Sequence, residues 1–519
     1  MKTLEMSNRK SSPGNPVRRQ KRAWQLTGLL LSLVLILMAV GGAVPSAYAA
    51  TTLASTVEDA VSTFAYTQNM HPLGFSEKAV PLDNTVPGQG IFNSDLTFWG
   101  RFAFQGNYEG FRIIDVSEPD NPVEILNYAE CSPGSTLGNQ GDVIVWGDIL
   151  VRSWNSNTTS AAASCDGEPV ALGFEGLHVF DISNPLDPDL VASVDLPQGS
   201  HTATGVPDLA NDRLLIYNSA SSGANPGIDI IGIPLNAPQN AAFLRFEPAG
   251  RSCHDIGVIL GDALKAACAG GNGFTVWSID PADGGSLVDP MQLYSRTITG
   301  VAIGHSASFT WDGNVLIFGH EPGGGGQAQC QATSSITNRS LFFFEAQTGN
   351  LLGTFVHPRP QTNLENCTWH NYNVVPTNKR YVLVAGNYQS GISVVEFTDP
   401  ANAFEIAFAD PATLVDPNPP VGIELGGDWS TYWYNGRIYE SDITRGLIIW
   451  NLSDNIVAGA MNFDHLNPQT QETSFPFKGT AFGTYKPAAD QQGFVVFGES
   501  APDDVSGGAG GGEDFSSGE

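Results

Sequence analysis

Short apolar runs recur along the chain, and each ends at a turn rich in aspartate, serine and proline. The clearest copies are residues 110–122 (GFRIIDVSEPDNP) and 176–188 (GLHVFDISNPLDP). Weaker copies begin at Gly273, Gly391 and Gly446. Runs of β-branched and aromatic residues between turn residues are typical of β-strands. Each copy therefore predicts one strand, and the shorter apolar run after it predicts a second.

Two further strands precede each copy and meet at a tight turn. Residues 142–152 and 431–439 show this arrangement, and Asn435 and Gly436 in the second form a strong signal for a two-residue hairpin turn. Four antiparallel strands in about 50–60 residues are typical of one blade of a β-propeller. The repeating unit is therefore predicted to be a blade.

The blades can be counted from the starts of their innermost strands, which align at intervals of 47 to 65 residues. These starts fall at Asp95, Asp142, His201, His254, His305, His370 and Asp428. Seven starts predict seven blades. A pair of packed β-sheets would also contain many short strands, but it would not produce this common spacing.

The ring is predicted to close with strands from both ends of the chain. Residues 69–76 resemble an outermost strand without a blade of its own, and we expect them to complete the last blade, whose third strand ends near Leu452. This pairing removes two open sheet edges. Residues 479–499 contain another hairpin-like pair, which we expect to pack on the ring.

The predicted fold is all-β: a seven-bladed β-propeller of four-stranded antiparallel blades, closed by N- and C-terminal strands. The content of glycine (58 residues) and proline (33 residues) suits such a turn-rich protein. The predicted divisions are a signal peptide (1–49), an N-terminal extension (50–68), the propeller (69–475), a C-terminal hairpin appendage (476–502) and a disordered acidic Gly/Ser tail (503–519).

The N-terminus has the features of an export signal. Basic residues within 18–22 precede an apolar run over 28–44, and residues 47–49 (AYA) match a cleavage site. The apolar run, about 17 residues long, is also just sufficient to span a bilayer, so an uncleaved signal anchor is the alternative. Cleavage is favoured by the glycines and proline around the end of the run. We expect a secreted or cell-surface protein with no membrane insertion after cleavage.

Acidic residues dominate the remainder of the chain. Residues 1–49 hold seven of the 24 lysines and arginines and one of the 53 acidic residues, which leaves a net charge of −35 on residues 50–519. Such a field repels nucleic acids and anionic lipids, so neither is expected as a partner. We expect a monomer whose partner is an unidentified ligand or surface protein.

Six cysteines in an exported chain are expected to form disulfides. One pair flanks a hairpin that turns near residues 261–262, a second pair lies before and after one outer strand pair, and two cysteines remain. The predicted bridges are Cys253–Cys268, Cys330–Cys367 and Cys131–Cys165. The alternative, a cysteine metal site, lacks the usual CxxC spacing.

Residues 110–122 carry a Gly-x-x-Ile-Ile-Asp-Val-Ser-x-Pro-x-x-Pro pattern, and on it the chain resembles the LVIVD-repeat family of secreted bacterial β-propellers. The resemblance extends through residues 253–255, 304–313, 369–373 and 465–471 and covers most of residues 69–475. It implies a propeller fold and export, and it implies no particular activity.

The seven aligned strand starts supply the candidate site, because such starts lie near one mouth of a propeller channel. Four histidines and three aspartates are expected there. Their nitrogens and oxygens could hold a transition-metal ion such as zinc, copper or iron. Alternatively, these side chains hydrogen-bond the connections between blades, because buried polar groups need partners. His320 and Glu321, at the end of a strand, could lie near the same face.

Two functions fit this pattern. The first is a binding or scaffold module whose channel mouth is the ligand site. The second is a metal-dependent oxidoreductase or hydrolase that uses the channel histidines. No nucleophile elbow, HExxH, P-loop or dinucleotide fingerprint occurs, so no catalytic residue is assigned. His178 and His357 are expected to be packing or surface residues.

Overall fold

The computed structural model describes residues 56–78, 92–134, 139–220, 226–412, 427–475 and 494–496. These residues form seven antiparallel blades, so the predicted seven-bladed propeller is confirmed. The innermost strands contact one another in chain order, and that of blade 7 contacts that of blade 1. The ring is therefore closed.

The blades are numbered along the chain, and their strands are given from the innermost outward. Blade 1 comprises Asn93–Trp99, Phe102–Asn107, Gly110–Asp115 and Val123–Tyr128. Blade 2 comprises Val143–Trp146, Ile149–Trp154, Gly176–Asp181 and Asp189–Asp195. Blade 3 comprises Ala203–Asp208, Arg213–Ser219, Gly227–Pro234 and Ala242–Pro248. Blade 4 comprises Ile256–Ile259, Lys265–Gly270, Gly273–Ser278 and Met291–Thr297.

The last three blades follow the same order. Blade 5 comprises Gly304–Phe309, Val315–His320, Ser340–Glu345 and Leu351–Val356. Blade 6 comprises Asn371–Val374, Val382–Gly386, Ile392–Glu396 and Phe404–Asp410. Blade 7 comprises Asp428–Tyr434, Arg437–Asp442, Gly446–Leu452 and the N-terminal strand Met70–Glu77.

Short elements complete the described chain. The one α-helix of the described residues is Val57–Ala60, and Ser164–Cys165 pairs with Glu168–Pro169. The two-residue strands His465–Leu466 and Thr470–Gln471 extend blades 1 and 4. The 3-10 turns are Leu209–Asn211, Pro238–Asn240, Pro281–Asp283, Thr337–Arg339, Pro400–Asn402 and Asn455–Val457.

The N-terminal strand closes the ring as predicted. Met70–Glu77 pairs antiparallel with Gly446–Leu452, with Met70 opposite Leu452 and Glu77 opposite Gly446. A second N-terminal strand, Ala65–Thr67, extends blade 6 and pairs with Phe494–Val496. That strand is the described part of the predicted C-terminal appendage.

The hydrophobic core is divided into layers, and each layer lies between two neighbouring blades. Phe343 of blade 5 stacks on Phe397 of blade 6 with ring centroids 4.7 Å apart. Phe98 of blade 1 stacks on Tyr434 of blade 7 at 4.6 Å. Burying one such side chain contributes about 1.5–3 kcal/mol. Because every layer needs both neighbours, the closed ring stabilises each blade.

One end of the channel is covered by residues 461–474, which we call the plug segment. It hydrogen-bonds to the innermost strand of every blade, or to the residues directly after that strand. The contacts, from blade 1 to blade 7, are made by Thr97, Val145, Gly205, Val258, Phe309, Pro376 and Asn435. A single segment thus joins all seven blades at the end where the innermost strands finish.

The three predicted disulfides are present. Cys131–Cys165 links the chain after blade 1 to the small hairpin of blade 2, and Cys253–Cys268 lies within blade 4. Cys330–Cys367 joins the long connection inside blade 5 to the approach to blade 6. All six cysteines are therefore bonded, which excludes them as metal ligands.

The predicted signal peptide (1–49) and acidic tail (503–519) lie outside the described residues. Most of the predicted appendage (476–502) lies outside them too. Within the part of the chain that the structure describes, no helix combines the length and the apolar character needed to cross a bilayer.

Candidate metal centre

At the end opposite the plug segment, the channel opens into a cavity of about 160 Å³. Six of the seven aligned residues line it, and Asp428 does not. The lining residues are Asp95, Gln140, Asp142, His201, Thr202, His254, Asp255, His305, Glu321, Gly324, His370, Asn371, Tyr388 and Trp429.

Four histidines form a continuous row along one wall of this cavity. Blades 3 to 6 each place one imidazole at the start of the innermost strand, so the rings become neighbours in space. Ring centroids are 4.3 Å apart for His201 and His254, 3.8 Å for His254 and His305, and 4.0 Å for His305 and His370. This spacing brings several nitrogen atoms to one small volume.

Each ring of the row has its Nδ1 beside a protein group. The partners are Asn155 Nδ2 for His201 (2.7 Å), Asp255 Oδ1 for His254 (3.4 Å), the His370 carbonyl for His305 (3.1 Å) and the Trp429 carbonyl for His370 (2.5 Å). A carbonyl only accepts, so His305 and His370 carry their proton on Nδ1. Their Nε2 atoms are therefore acceptors, as in metal-binding histidines, and the Nε2 of His370 lies 2.8 Å from Tyr388 Oη.

Burial keeps most of the row uncharged. It lowers the pKa of His201 and of His370 to about 3, and it holds the pKa of His305 well below its usual value. Burial also opposes protonation of His254, but the hydrogen bond and charge of Asp255 outweigh it and the pKa of His254 is raised. Three of the four rings are thus neutral at pH 7, and neutral imidazole is the form that binds metals.

Carboxylates complete two overlapping sets of potential metal ligands. One set is His254, Asp255 and His305, and the other is His305, Glu321 and His370. In each set one ligand atom per residue lies within 4.8 Å of the others. Two imidazoles with one carboxylate form a ligand set typical of non-haem iron and related transition-metal sites. His305 belongs to both sets.

Comparison with known protein families agrees with this architecture. Residues 94–130 and 170–196 match the LVIVD repeat. The chain is a seven-bladed propeller that carries LVIVD repeats. The first match spans blade 1, and the second spans the two outer strands of blade 2. No curated protein matches the chain significantly.

Three residues that line the cavity, Asp255, Glu321 and Tyr388, do not occupy the seven aligned strand starts. Asp255 directly follows His254, so its place beside the row follows from the sequence once that histidine is located. Glu321 lines the cavity, whereas its neighbour His320 turns away and places Nε2 2.6 Å from the carbonyl of Thr337. Tyr388 lies on a loop of blade 6 that carries no repeat pattern, and no sequence signal identified it.

Asp95 and Asp142, across the cavity from the row, use their oxygens to hold the propeller together. Asp95 accepts hydrogen bonds from Tyr432 Oη and Gln469 Nε2, both at 2.7 Å, and Asp142 accepts one from the Ala203 amide at 2.7 Å. These contacts connect neighbouring blades and the plug segment. Burial raises the pKa of both carboxyls. Their hydrogen-bonding favours the structural alternative for these two residues.

Asp428 points away from the cavity into a buried acidic cluster with Glu440 and Asp442 of the same blade. Thr431 donates to its Oδ2 at 2.7 Å, while Trp450 Nε1 donates to Glu440 Oε2 at 2.7 Å. Burial raises the pKa of Asp428 well above its usual value. Asp428 therefore belongs to the interior of blade 7, and Trp429 occupies the channel mouth instead.

Glu440 gives the LVIVD-repeat propeller a testable pH dependence, because burial raises its pKa to about 7. A carboxyl with a higher pKa in the folded state stabilises the fold fully below its unfolded pKa of about 4.3, and this contribution is lost as pH rises through about 7. Glu440→Gln cannot ionise and can still accept from Trp450. At pH 8 the variant is expected to be more stable than the native protein by on the order of 3–4 kcal/mol.

The measurement is urea unfolding at pH 4, 6 and 8. The difference between the two proteins should shrink towards pH 4, and the exposed substitution Glu118→Gln should leave the native pH profile unchanged. A Glu440→Gln variant that is less stable than the native protein at pH 8 would contradict the expectation.

Proposed function

We propose that this LVIVD-repeat propeller is an exported binding module that holds a transition-metal ion at its channel mouth. The observation that carries the proposal is the histidine row, in which the rings converge on one wall and His305 and His370 carry their proton on Nδ1. The two ligand sets that share His305 support the same function.

The N-terminal apolar segment, the three disulfides and the net charge of −35 on residues 50–519 support export. Disulfides form and persist in oxidising compartments outside the cytosol. A strongly acidic surface also attracts cations towards the mouth of the channel. These features favour a secreted or cell-surface module that meets its ion outside the cell.

The size of the cavity favours a small ligand. A volume of about 160 Å³ accommodates an ion with a few small molecules. The alternative function, a metal-dependent oxidoreductase or hydrolase, would use the same ion. It is favoured by one observation: each ligand set supplies three groups and so leaves coordination positions open.

The test is elemental analysis of the mature protein purified after export from its native host. We expect about one transition-metal ion per chain, and its loss from His305→Ala and from the double variant His254→Ala, His370→Ala. His178→Ala is the matched control, because His178 is equally buried but packs against Phe174, outside the cavity. Melting curves establish that each variant is folded.

Two results would reject the proposal. One is a native protein without metal that also takes up neither zinc nor iron on dialysis. The other is a metal content that is unchanged in folded His305→Ala protein.

A further inference from the structure

Tyr388 places its phenol oxygen among the potential ligands of the second set. The oxygen lies 2.8 Å from His370 Nε2 and donates to Glu321 Oε1 at 3.0 Å. His370 carries its proton on Nδ1, so its Nε2 is an acceptor. The phenol has a single proton and cannot donate to both neighbours. A cation in place of that proton would satisfy the nitrogen and both oxygens together.

The distances suit such a cation. Ligands in adjacent positions of an octahedral ion, with bonds of about 2.0–2.1 Å, lie about 2.9 Å apart. The observed separations of the Tyr388 oxygen from its two neighbours bracket this value. Hydrogen bonding alone would also permit these lengths.

Tyr388 has an unusual backbone conformation, and its side chain lines the channel mouth. Tyr388 has a φ of 47°, in the left-handed region that bulky residues rarely adopt. Two backbone hydrogen bonds with Asp428, of 3.1 and 3.0 Å, hold it there. Strained backbone of this kind is concentrated at functional sites. Phe or Tyr packing alone does not need such a conformation.

The loop that covers this part of the mouth has a glycine where its backbone closely approaches Glu321 and Tyr388. Gly325 has a φ of 69°, and a Cβ there would lie 2.9 Å from Glu321 Oε1 and 3.1 Å from Tyr388 Oη. A larger residue would press on both oxygen atoms. The loop therefore shields the two groups from solvent without displacing them.

We propose that the metal site of the previous section is formed by His305, Glu321 and His370 with Tyr388 as its fourth protein ligand, and that it selects ferric iron. This inference rests on the proposed metal-binding function and names its ion. Carboxylate and phenolate oxygens are hard ligands, and tyrosine oxygen is an established iron ligand in proteins. Binding exchanges the phenol proton for the ion, releases that proton to solvent and changes no oxidation state.

The oxidising surroundings of an exported protein agree with this choice, because iron there is held as Fe³⁺. Zinc and copper are the alternatives, and neither needs a phenolate ligand, since imidazoles alone bind both. A phenolate bound to Fe³⁺ gives a broad visible absorption band, whereas a phenolate bound to zinc gives none. The visible spectrum therefore distinguishes bound ferric iron from bound zinc.

The experiment uses the mature protein after treatment with a chelator and then loading with ferric nitrilotriacetate. We expect about one iron per chain and a visible band in the native protein. Tyr388→Phe removes one oxygen and keeps the ring, and it is expected to abolish the band and weaken iron binding by at least about 100-fold. Tyr432→Phe is the matched control, because Tyr432 is a buried phenol that contacts Asp95 across the cavity, and it should keep both.

Parallel loading with zinc separates this inference from the function on which it rests. Iron that binds without a visible band, or a band that survives in Tyr388→Phe, overturns the role of Tyr388. Zinc binding that depends on His305, without ferric binding, overturns the choice of iron and leaves the metal-binding function standing. If neither ion binds, both proposals fail together.

Discussion

Ending the chain after Ala460 is expected to unfold the propeller, whereas ending it after Phe475 is expected to leave its melting temperature close to that of the full chain. The first truncation removes the plug segment, and the second keeps it. Asn467 alone exchanges two hydrogen bonds with the Val145 backbone, at 3.0 and 3.2 Å. The remaining contacts reach the other six blades.

Each lost hydrogen bond costs about 1 kcal/mol, and each buried group left without a partner costs about 1–3 kcal/mol. Summed over the plug segment, the loss is comparable with the whole stability of a folded domain, about 5–15 kcal/mol. Thermal unfolding followed by circular dichroism measures it. A chain ending at Ala460 that melts within a few degrees of the chain ending at Phe475 would show that the blades hold together without the plug segment.

Arg152→Met is expected to lower the free energy of unfolding by about 3–5 kcal/mol. The Arg152 side chain of blade 2 is fully buried and donates to the carbonyls of Asn107 and Gly110 in blade 1 and of Asn139. Burial lowers the pKa of Arg152 to about 9, because no carboxylate offsets it. Methionine fills the space of the stem but removes the donors to these buried oxygens.

Urea unfolding of the two proteins measures this difference. Arg101→Met is the control, because its side chain is 62% exposed and its 3.3 Å pair with Asp115 is expected to contribute no more than about 1 kcal/mol. If both substitutions cost the same, the buried arginine does not join blades 1 and 2 in the way described.

The sequence predicted the ring because repetition is a local signal. Every blade repeats the same order of apolar runs and turns, so aligning their starts was enough to count them and to assign residues 69–76 to the last blade. The plug segment was not predicted. Its two strands have two residues each, and its position depends on matching seven strand ends that are distant in the chain.

At the candidate site too, the residues that follow the repeat were predicted and those outside it were not. The four histidines were predicted because they occupy one position of the repeat, and the geometry of a closed ring makes such positions neighbours. Tyr388 was not predicted, because a loop with a left-handed residue has no periodic pattern. Asp428 occupies the repeat position, yet its orientation is set by the carboxyls of the neighbouring strand, which the repeat does not describe.

The pairing of Met70–Glu77 with Gly446–Leu452 determines the order in which the molecule can be completed. The ribosome delivers the first of these strands early and its partner only near the end. Until then blade 7 lacks its outer strand, and the blades already made present an open ring with unpaired edges. Long-range pairing of this kind slows folding and prolongs exposure to aggregation. The histidine row comes from four consecutive blades in the middle of the chain, so its walls can form while the ring is still open.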